Sequence, residues 1–83
     1  MSELDIITLD NNKDYVIAKI LNHKNKAYYL LIAVDKDENL LDERLILEKV
    51  IVDGDESLAT IQDELTYKIV SEKFAKLLLE SIK

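Results

Sequence analysis

The sequence predicts an α+β fold, and two patterns of apolar residues carry the prediction. Up to Ile61, short apolar stretches alternate with polar residues and turn-forming residues, as they do in strands. From Asp63 to Ile82 the apolar residues recur every three or four positions instead, as on one face of a helix. Strands followed by one helix favour an antiparallel four- or five-stranded meander with the C-terminal helix packed on one face.

Two strands are predicted in the first part of the chain. Asp5–Leu9 is β-branched and precedes a turn-forming cluster, so it predicts an edge strand that ends in a hairpin with Asn12 as the left-handed residue. Asp14–Leu21 predicts the second strand, followed by a tight turn at His23–Lys26. With one glycine in the sequence, Asn25 is expected to take positive φ in that turn.

The second strand alternates only loosely. Tyr15, Ile17 and Leu21 are expected on one of its faces, although Lys19 interrupts that set. We expect this face to be mostly buried.

The centre of the sheet is predicted at Ala27–Val34, which is apolar at both alternate positions, as in a strand covered on two faces. A polar loop follows, and Arg44–Val52 resumes as a strand that ends at Asp53–Asp55, where the one glycine lies. Leu58–Ile61 is either a short last strand or an extended lead into the helix.

The predicted helix begins after Asp63, a residue suited to cap its first turn. Its apolar stripe is expected to dock on the sheet and consists of Tyr67, Val70, Phe74, Leu77, Leu78 and Ser81. A second apolar set is expected beside that stripe and consists of Leu65, Ile69, Leu79 and Ile82. Because this set widens the apolar arc, Leu65, Ile69 and Leu79 are the candidate interface residues.

One helix is too narrow to cover this sheet. Four strands span roughly 19 Å, whereas a helix is about 10–12 Å across. Apolar surface is therefore left over, and two explanations stay open. Either the sheet curls around the helix, or the spare face pairs with a second copy in a homodimer.

Composition limits the functions that this chain can have. Its 83 residues allow one hydrophobic core, so a single domain is expected over residues 1–83, ordered from about residue 5 to 82. Without cysteine there are no disulfides, thiolate metal sites or cysteine nucleophiles. The acidic start lacks the features of a secretory signal, and the longest apolar run is far shorter than the about 20 residues of a membrane helix. We expect a cytoplasmic protein that does not bind membranes.

The net charge of −6 indicates which partners to expect. Nucleic-acid affinity comes mainly from basic side chains on phosphates, so direct nucleic-acid binding is not expected. The preferred hypothesis is a small non-enzymatic interaction or regulatory module that binds a protein partner. The alternatives are an acidic mimic of nucleic acid that occupies a basic protein groove, and a small ligand-binding or enzymatic domain.

No residue pattern predicts a catalytic, cofactor or metal site. Asp35-x-Asp37-x-Asn39 copies the opening ligands of a calcium loop, but Leu40 and Ile46 stand where that loop needs glycine and glutamate. A hairpin turn rich in aspartate is the preferred interpretation. Asp53-x-Asp55-x-Ser57 fails in the same way at Leu58, which leaves weak surface binding of calcium or magnesium as an alternative.

The histidine and the tyrosines are also expected to have structural roles. His23 is expected to be a solvated turn residue, because no serine or second histidine stands at a catalytic or zinc-binding spacing. The tyrosines lack the interleaved basic residues of a platform that stacks nucleobases. We expect them to pack in the core and on the sheet.

Three segments together resemble a known family. They are Ile6-Ile7-Thr8-Leu9-Asp10, Lys26-Ala27-Tyr28-Tyr29-Leu30-Leu31, and Leu58-x-x-Ile61-x-Asp63-Glu64-x-x-Tyr67-x-x-Val70-x-x-x-Phe74-x-x-Leu77-Leu78. In these segments the chain resembles the YrzB-like family of short acidic proteins from Gram-positive bacteria. It departs from that family in having Asn25 where glycine is common, and in being richer in lysine. The resemblance implies a cytosolic, non-enzymatic accessory protein and supplies no binding residues.

Overall fold

Five strands and one helix make up the protein in a computed structural model, which describes residues 1–81. The elements are β1 (Ile6–Thr8), β2 (Asp14–His23), β3 (Lys26–Val34), β4 (Leu40–Val52), β5 (Asp55–Thr60) and α1 (Glu64–Ser81). The strands form one antiparallel sheet in the order β1-β2-β3-β4-β5. The predicted α+β meander is therefore confirmed, with β5 as a true strand. Ile82, the predicted last apolar position of the helix, lies outside the described residues.

Two tight hairpins fix the register of the sheet. Positive φ occurs at Lys24 (51°) and Asn25 (66°) between β2 and β3, and at Asp53 (52°) and Gly54 (84°) between β4 and β5. Two successive residues of positive φ define the turn whose twist matches that of paired strands. Asn25 takes the predicted left-handed conformation, as does Asn12 with φ of 63°. In these turns asparagine thus takes the left-handed backbone conformation that glycine most often takes.

A bulge at Ala18 explains why the second strand alternates loosely. Ala18 has no partner of its own on β3, and an extra residue of this kind reverses which side chains face each way. Before the bulge, Tyr15 and Ile17 share one face; after it, Ile20 joins them and Leu21 lies on the other face. The predicted grouping of Leu21 with Tyr15 and Ile17 is wrong for this reason.

The sheet has two buried faces, and the side chains of successive β3 residues point alternately to one and to the other. One cluster, on what we call the inner face, consists of Tyr15, Ile17, Tyr29, Leu31 and Ala33. The other, on the helix face, consists of Tyr28, Leu30, Ile61, Val70 and Phe74. The central position predicted for β3 is thereby confirmed.

Burial of the inner face comes from the curvature of the sheet. Its five strands curl into a half-barrel, and residues of β1 and β5, the first and last strands, line one cavity across the inner face. The helix lies on the opposite, outer side of this curve. The sheet therefore curls around its own side chains and not around the helix, which differs from the geometry that the sequence suggested.

Helix α1 begins as predicted. The carboxylate of Asp63 accepts hydrogen bonds from the backbone N–H and the hydroxyl of Thr66, at 2.9 and 2.6 Å, and these bonds lower the pKa of Asp63. Val70 and Phe74 of the predicted stripe are buried. Tyr67 is not, because its ring borders an open groove beside β4, and the prediction that it packs in the core is wrong.

Candidate functional site

The half-barrel is open along one side, between β1 and β5. These are the edge strands of the sheet, and no strand pairing joins them within residues 1–81. The opening holds a cavity of about 530 Å³, which we call the β1–β5 cavity. It is lined by Met1, Ile7, Thr8, Leu9, Asp10, Asn11, Leu45, Leu47, Ser57, Leu58, Ala59 and Thr60.

The number of strands keeps this side open. In an antiparallel meander each strand reverses the direction of the one before, so the first and fifth strands run the same way. β1 and β5 therefore cannot pair with each other in the antiparallel pattern that the rest of the sheet uses. A sixth strand running in the opposite direction would be antiparallel to both.

The outer edge of β5 carries free backbone groups. Val52 and Asp55 flank a two-residue turn and form a hydrogen-bonded pair, after which bonded and non-bonded pairs alternate along the hairpin. Glu56, Leu58 and Thr60 consequently direct their backbone N–H and C=O groups away from β4. These three residues present a row of donors and acceptors to the opening.

The floor of the cavity is apolar. Ile7, Leu9, Leu45, Leu47 and Leu58 are half-buried and pack against the inner-face cluster. Polar groups stand around this floor, and among the described residues that line the cavity Asp10 has the one charged side chain. An apolar floor with a polar rim suits a ligand that offers apolar side chains and backbone hydrogen bonds.

A hydrogen-bonded network ties one end of the inner face to the first turn. The Tyr15 hydroxyl donates to Glu43 Oε2 at 2.5 Å, and Lys13 Nζ lies 2.9 Å from Glu43 Oε1. The bond from Tyr15, followed by that from Lys13, lowers the pKa of Glu43, and Glu43 in turn raises the pKa of Lys13. Asn11 Nδ2 donates to the Tyr15 hydroxyl at 3.1 Å. The network holds the β1–β2 turn against β4.

His23 has a different position from the one predicted. It is the last residue of β2 and is half-buried, with Nδ1 2.9 Å from Lys73 Nζ on the helix. Burial, followed by the positive charges of Lys73 and Lys24, lowers the pKa of His23. The neutral ring accepts a hydrogen bond from the ammonium and links the helix to the sheet. The expectation of a solvated turn residue is wrong because His23 ends β2, where it pairs with Lys26, and is half-buried beside Lys73 of the helix.

The Asp35–Asn39 segment is a self-contained turn, as the preferred interpretation had it. Asp35 Oδ1 accepts from the backbone N–H groups of Asp37 and Asn39, both at 2.9 Å, and these bonds contribute to a lowered pKa of Asp35. Residues 1–81 contain no group of three histidine, cysteine, aspartate or glutamate side chains that could hold a metal ion. The carboxylate of Asp35 serves the loop itself.

The predicted interface residues lie on the helix. Leu65 and Leu79 are exposed, at 64% and 65%, whereas Ile69 is half-buried. At about 100° per residue, Leu65 and Leu79 lie on the far side of the helix from the buried stripe, whereas Ile69 lies beside the stripe. Exposed Glu72 and Lys76 stand between them on the same side, so the apolar set is split in two. Their role as an interface stays a prediction.

Sequence reasoning missed two features of the surface. The first is the β1–β5 cavity, for which the odd number of strands was the available signal. The second is a cavity of about 170 Å³ between the helix and β4, lined by Leu30, Arg44, Ile46, Tyr67, Ser71, Phe74, Ala75 and Leu78. It is one third the size of the first and has no free strand edge beside it.

A family model described as a protein of unknown function, DUF1292, matches residues 9–79. The match covers most of the chain and extends from the first turn into the last part of the helix. The chain belongs to the DUF1292 family. Within this DUF1292 protein the matched region contains β2 to β5, and β1 precedes it.

Other comparisons add no relative to the DUF1292 assignment. No curated protein and no solved structure matches the chain. Within residues 1–81, the helix is not long and apolar enough to cross a membrane.

Proposed function

We propose that this DUF1292 protein is a small non-enzymatic interaction or regulatory module that binds one extended segment of a partner protein in the β1–β5 cavity. The observation that carries the proposal is the open side of the half-barrel, bordered by two edge strands that run in the same direction. One added strand would pair with both edges. Addition of a strand to an exposed sheet edge is a common way to recognise peptides.

The edge of β5 supplies the backbone part of this recognition. Its six residues give a partner segment about 20 Å of strand to pair with, and the outward groups of Glu56, Leu58 and Thr60 would accept and donate the hydrogen bonds. Such bonds do not depend on the partner's side chains. They provide affinity for any extended segment that can reach the edge.

The apolar floor supplies the side-chain part. In a strand, alternate side chains point to opposite faces, so every second residue of the bound segment would point into the cavity. There it would contact Leu45, Leu47 and Leu58 from one side and Ile7 and Leu9 from the other. We therefore expect a segment with apolar residues at alternate positions.

A partner protein fits this edge better than a second copy of the chain does. Two copies with a net charge of −6 each repel one another, and β5 itself carries Asp55 and Glu56. Acidic side chains on an edge strand also discourage pairing between identical edges. The homodimer is thus the rival occupant, and the acidic mimic of nucleic acid is the rival function, since it would use charge without the cavity.

Two finer assignments belong to the same proposal. We place the protein in the cytoplasm, because a chain without cysteine fits a reducing compartment. Within DUF1292 we assign it to the YrzB-like proteins of Gram-positive bacteria, on the segments quoted above.

The test is a pair of substitutions at Thr60, whose backbone N–H points into the opening. Thr60→Pro removes this donor while the bonds to β4 remain, because proline is tolerated on the solvent side of an edge strand. Thr60→Val keeps the donor and the side-chain shape. Peptides selected for binding from a displayed library of six-residue extended segments should shift backbone NMR signals of β5 and β1, and should bind Thr60→Pro at least about tenfold more weakly than Thr60→Val.

Two results would overturn the proposal. One is a set of selected peptides that shift signals around Leu65, Ile69 and Leu79, or that bind both variants equally. The other is light scattering that shows a dimer whose contacts involve β5, which would make a second copy the occupant.

A further inference from the structure

The negative charge of this protein is concentrated at one end of the half-barrel. The β1–β2 turn and the β3–β4 loop both lie at this end, because strands alternate in direction, and β5 runs towards it. We call residues 10–14 and 35–43 the acidic end. It holds seven carboxylates, those of Asp10, Asp14, Asp35, Asp37, Glu38, Asp42 and Glu43, against the two ammonium groups of Lys13 and Lys36.

The ammonium groups do little to offset this charge. Lys13 is already paired with Glu43, which also holds the Tyr15 hydroxyl. Most of the carboxylates have no cationic partner within the described residues. Asp10 stands both in the acidic end and on the lining of the β1–β5 cavity, so the charge continues to the mouth of the proposed site.

The directions of the strands fix which end of a bound segment meets this charge. β5 runs from Asp55 towards Thr60 and β1 runs the same way, so both point towards the acidic end. Thr60 pairs with Leu47, seven residues after the first residue of β4, and shares the lining of the cavity with Asp10. A segment antiparallel to both strands must run in the opposite direction. Its N-terminal residues would extend past Thr60 towards Asp10 and the acidic end, and its C-terminal residues would lie near the Asp53–Gly54 turn.

We infer that the partner segment enters the β1–β5 cavity antiparallel to β5, with lysine or arginine at its N-terminal end and alternating apolar residues after them. This inference rests on the proposed function and adds the direction and the charge of the occupant. The cationic side chains would lie nearest to Asp10, which has no ion pair among the described residues, with the rest of the acidic end beyond it. Charges placed this way set register and orientation as well as affinity.

Two synthetic peptides of one composition test the direction. The first has the sequence Lys-Lys-Val-Thr-Val-Thr-Val-Thr and the second has the two lysines at the C-terminal end instead, with both peptides acetylated and amidated. By fluorescence anisotropy at low salt, the first should bind about fivefold more tightly. The preference should vanish in 1 M salt, where the screening length is about 3 Å.

Matched charge variants test the location. One variant removes three carboxylates of the acidic end by Asp10→Asn, Asp37→Asn and Asp42→Asn. The control removes three exposed carboxylates elsewhere by Glu3→Gln, Asp53→Asn and Glu72→Gln. The acidic-end variant should lose the preference for the first peptide, and the control should keep it.

A nitroxide on the lysine end of the first peptide tests the direction of the bound segment separately from its binding at β5. We expect it to broaden the backbone signal of Thr60 and leave that of Asp55 sharp. Broadening at Asp55, or equal affinity of the two peptides while both shift β5 signals, would overturn the inference and leave the proposed function standing. Peptides that bind without shifting β5 signals, or that do not bind at millimolar concentration, would overturn both.

Discussion

The two faces of this sheet are buried by different means. On the helix face, Tyr28, Leu30 and Ile61 are covered by Val70 and Phe74 of α1, a separate element laid across the strands. On the inner face, Tyr15, Ile17 and Leu31 are fully buried without any such cover, because the sheet curls and brings its own side chains together.

This difference has a consequence for binding. The helix buries the side chains that it lies across. Curling buries the central strands of the sheet on the inner face and leaves its edge strands, β1 and β5, accessible. The open margin is the β1–β5 cavity, and it is there that apolar side chains and free backbone groups occur together. The face without a helix is therefore the one that can accept a further strand.

The largest expected effect comes from the helix face. Phe74→Ala should lower the free energy of unfolding by about 3–5 kcal/mol, because the ring is 1% exposed and its removal leaves a cavity against the sheet. Urea denaturation followed by circular dichroism measures it. Leu79→Ala, at an exposed position of the same helix, should change stability by less than about 0.5 kcal/mol. A small loss for Phe74→Ala would mean that the inner face alone holds the fold.

On the inner face a smaller loss of unfolding free energy is expected, and it should decrease from the centre of the face to the edge strands. Leu31→Ala should cost about 3 kcal/mol, since Leu31 is fully buried. Leu58→Ala should cost about 1 kcal/mol, because Leu58 borders the β1–β5 cavity and its removal only enlarges an existing space. Equal costs in urea denaturation would show that the margin is closed in solution.

The smallest effects concern pH, and the two faces should respond in different ranges. On the helix face, the pKa of His23 is lowered from its ordinary value of 6.5, so the unfolded chain takes up this proton first. Stability should therefore fall as pH falls below about 6.5. On the inner face, the pKa of Glu43 is lowered from 4.5, so its contribution holds above that pH and is lost as pH falls through the folded-state value.

Urea midpoints measured from pH 8 to pH 3 should show two steps in stability, an upper one from His23 and a lower one from Glu43, and two variants separate them. His23→Asn should remove the upper step and leave the lower one. Tyr15→Phe should make the lower step shallower without abolishing it, since the pKa values of Asp35 and Asp63 are also lowered. An upper step that persists in His23→Asn would contradict the assignment to the helix face.

Local chemistry was predictable where neighbouring residues decide it. Asp63 caps the helix, Asn12 and Asn25 take positive φ, and the doubly apolar β3 lies at the centre, each as the sequence indicated. These features depend on contacts within a few residues. The bulge at Ala18 was not predictable, because it is defined by a mismatch between β2 and its partner strand.

The candidate site was predictable only in part. The sequence showed that apolar surface would be left uncovered, and it pointed to Leu65, Ile69 and Leu79 on the helix. The structure adds an opening that is lined by residues from Ile7 to Thr60, far apart in the chain. No local pattern brings Leu9 and Leu58 to the same cavity, since their approach depends on how strongly five strands curl.

The sequence by itself determined the order of the elements, the turns that join them, the capped helix and the acidic character of the surface. These follow from backbone preferences, hydrophobic period and charge, which act over short distances along the chain. Only the tertiary structure decided that the sheet curls away from the helix, that β1 and β5 face each other across a cavity, and that the acidic loops meet at one end. The reason is that curvature and strand direction are properties of the whole sheet, set by twist and packing summed over all five strands.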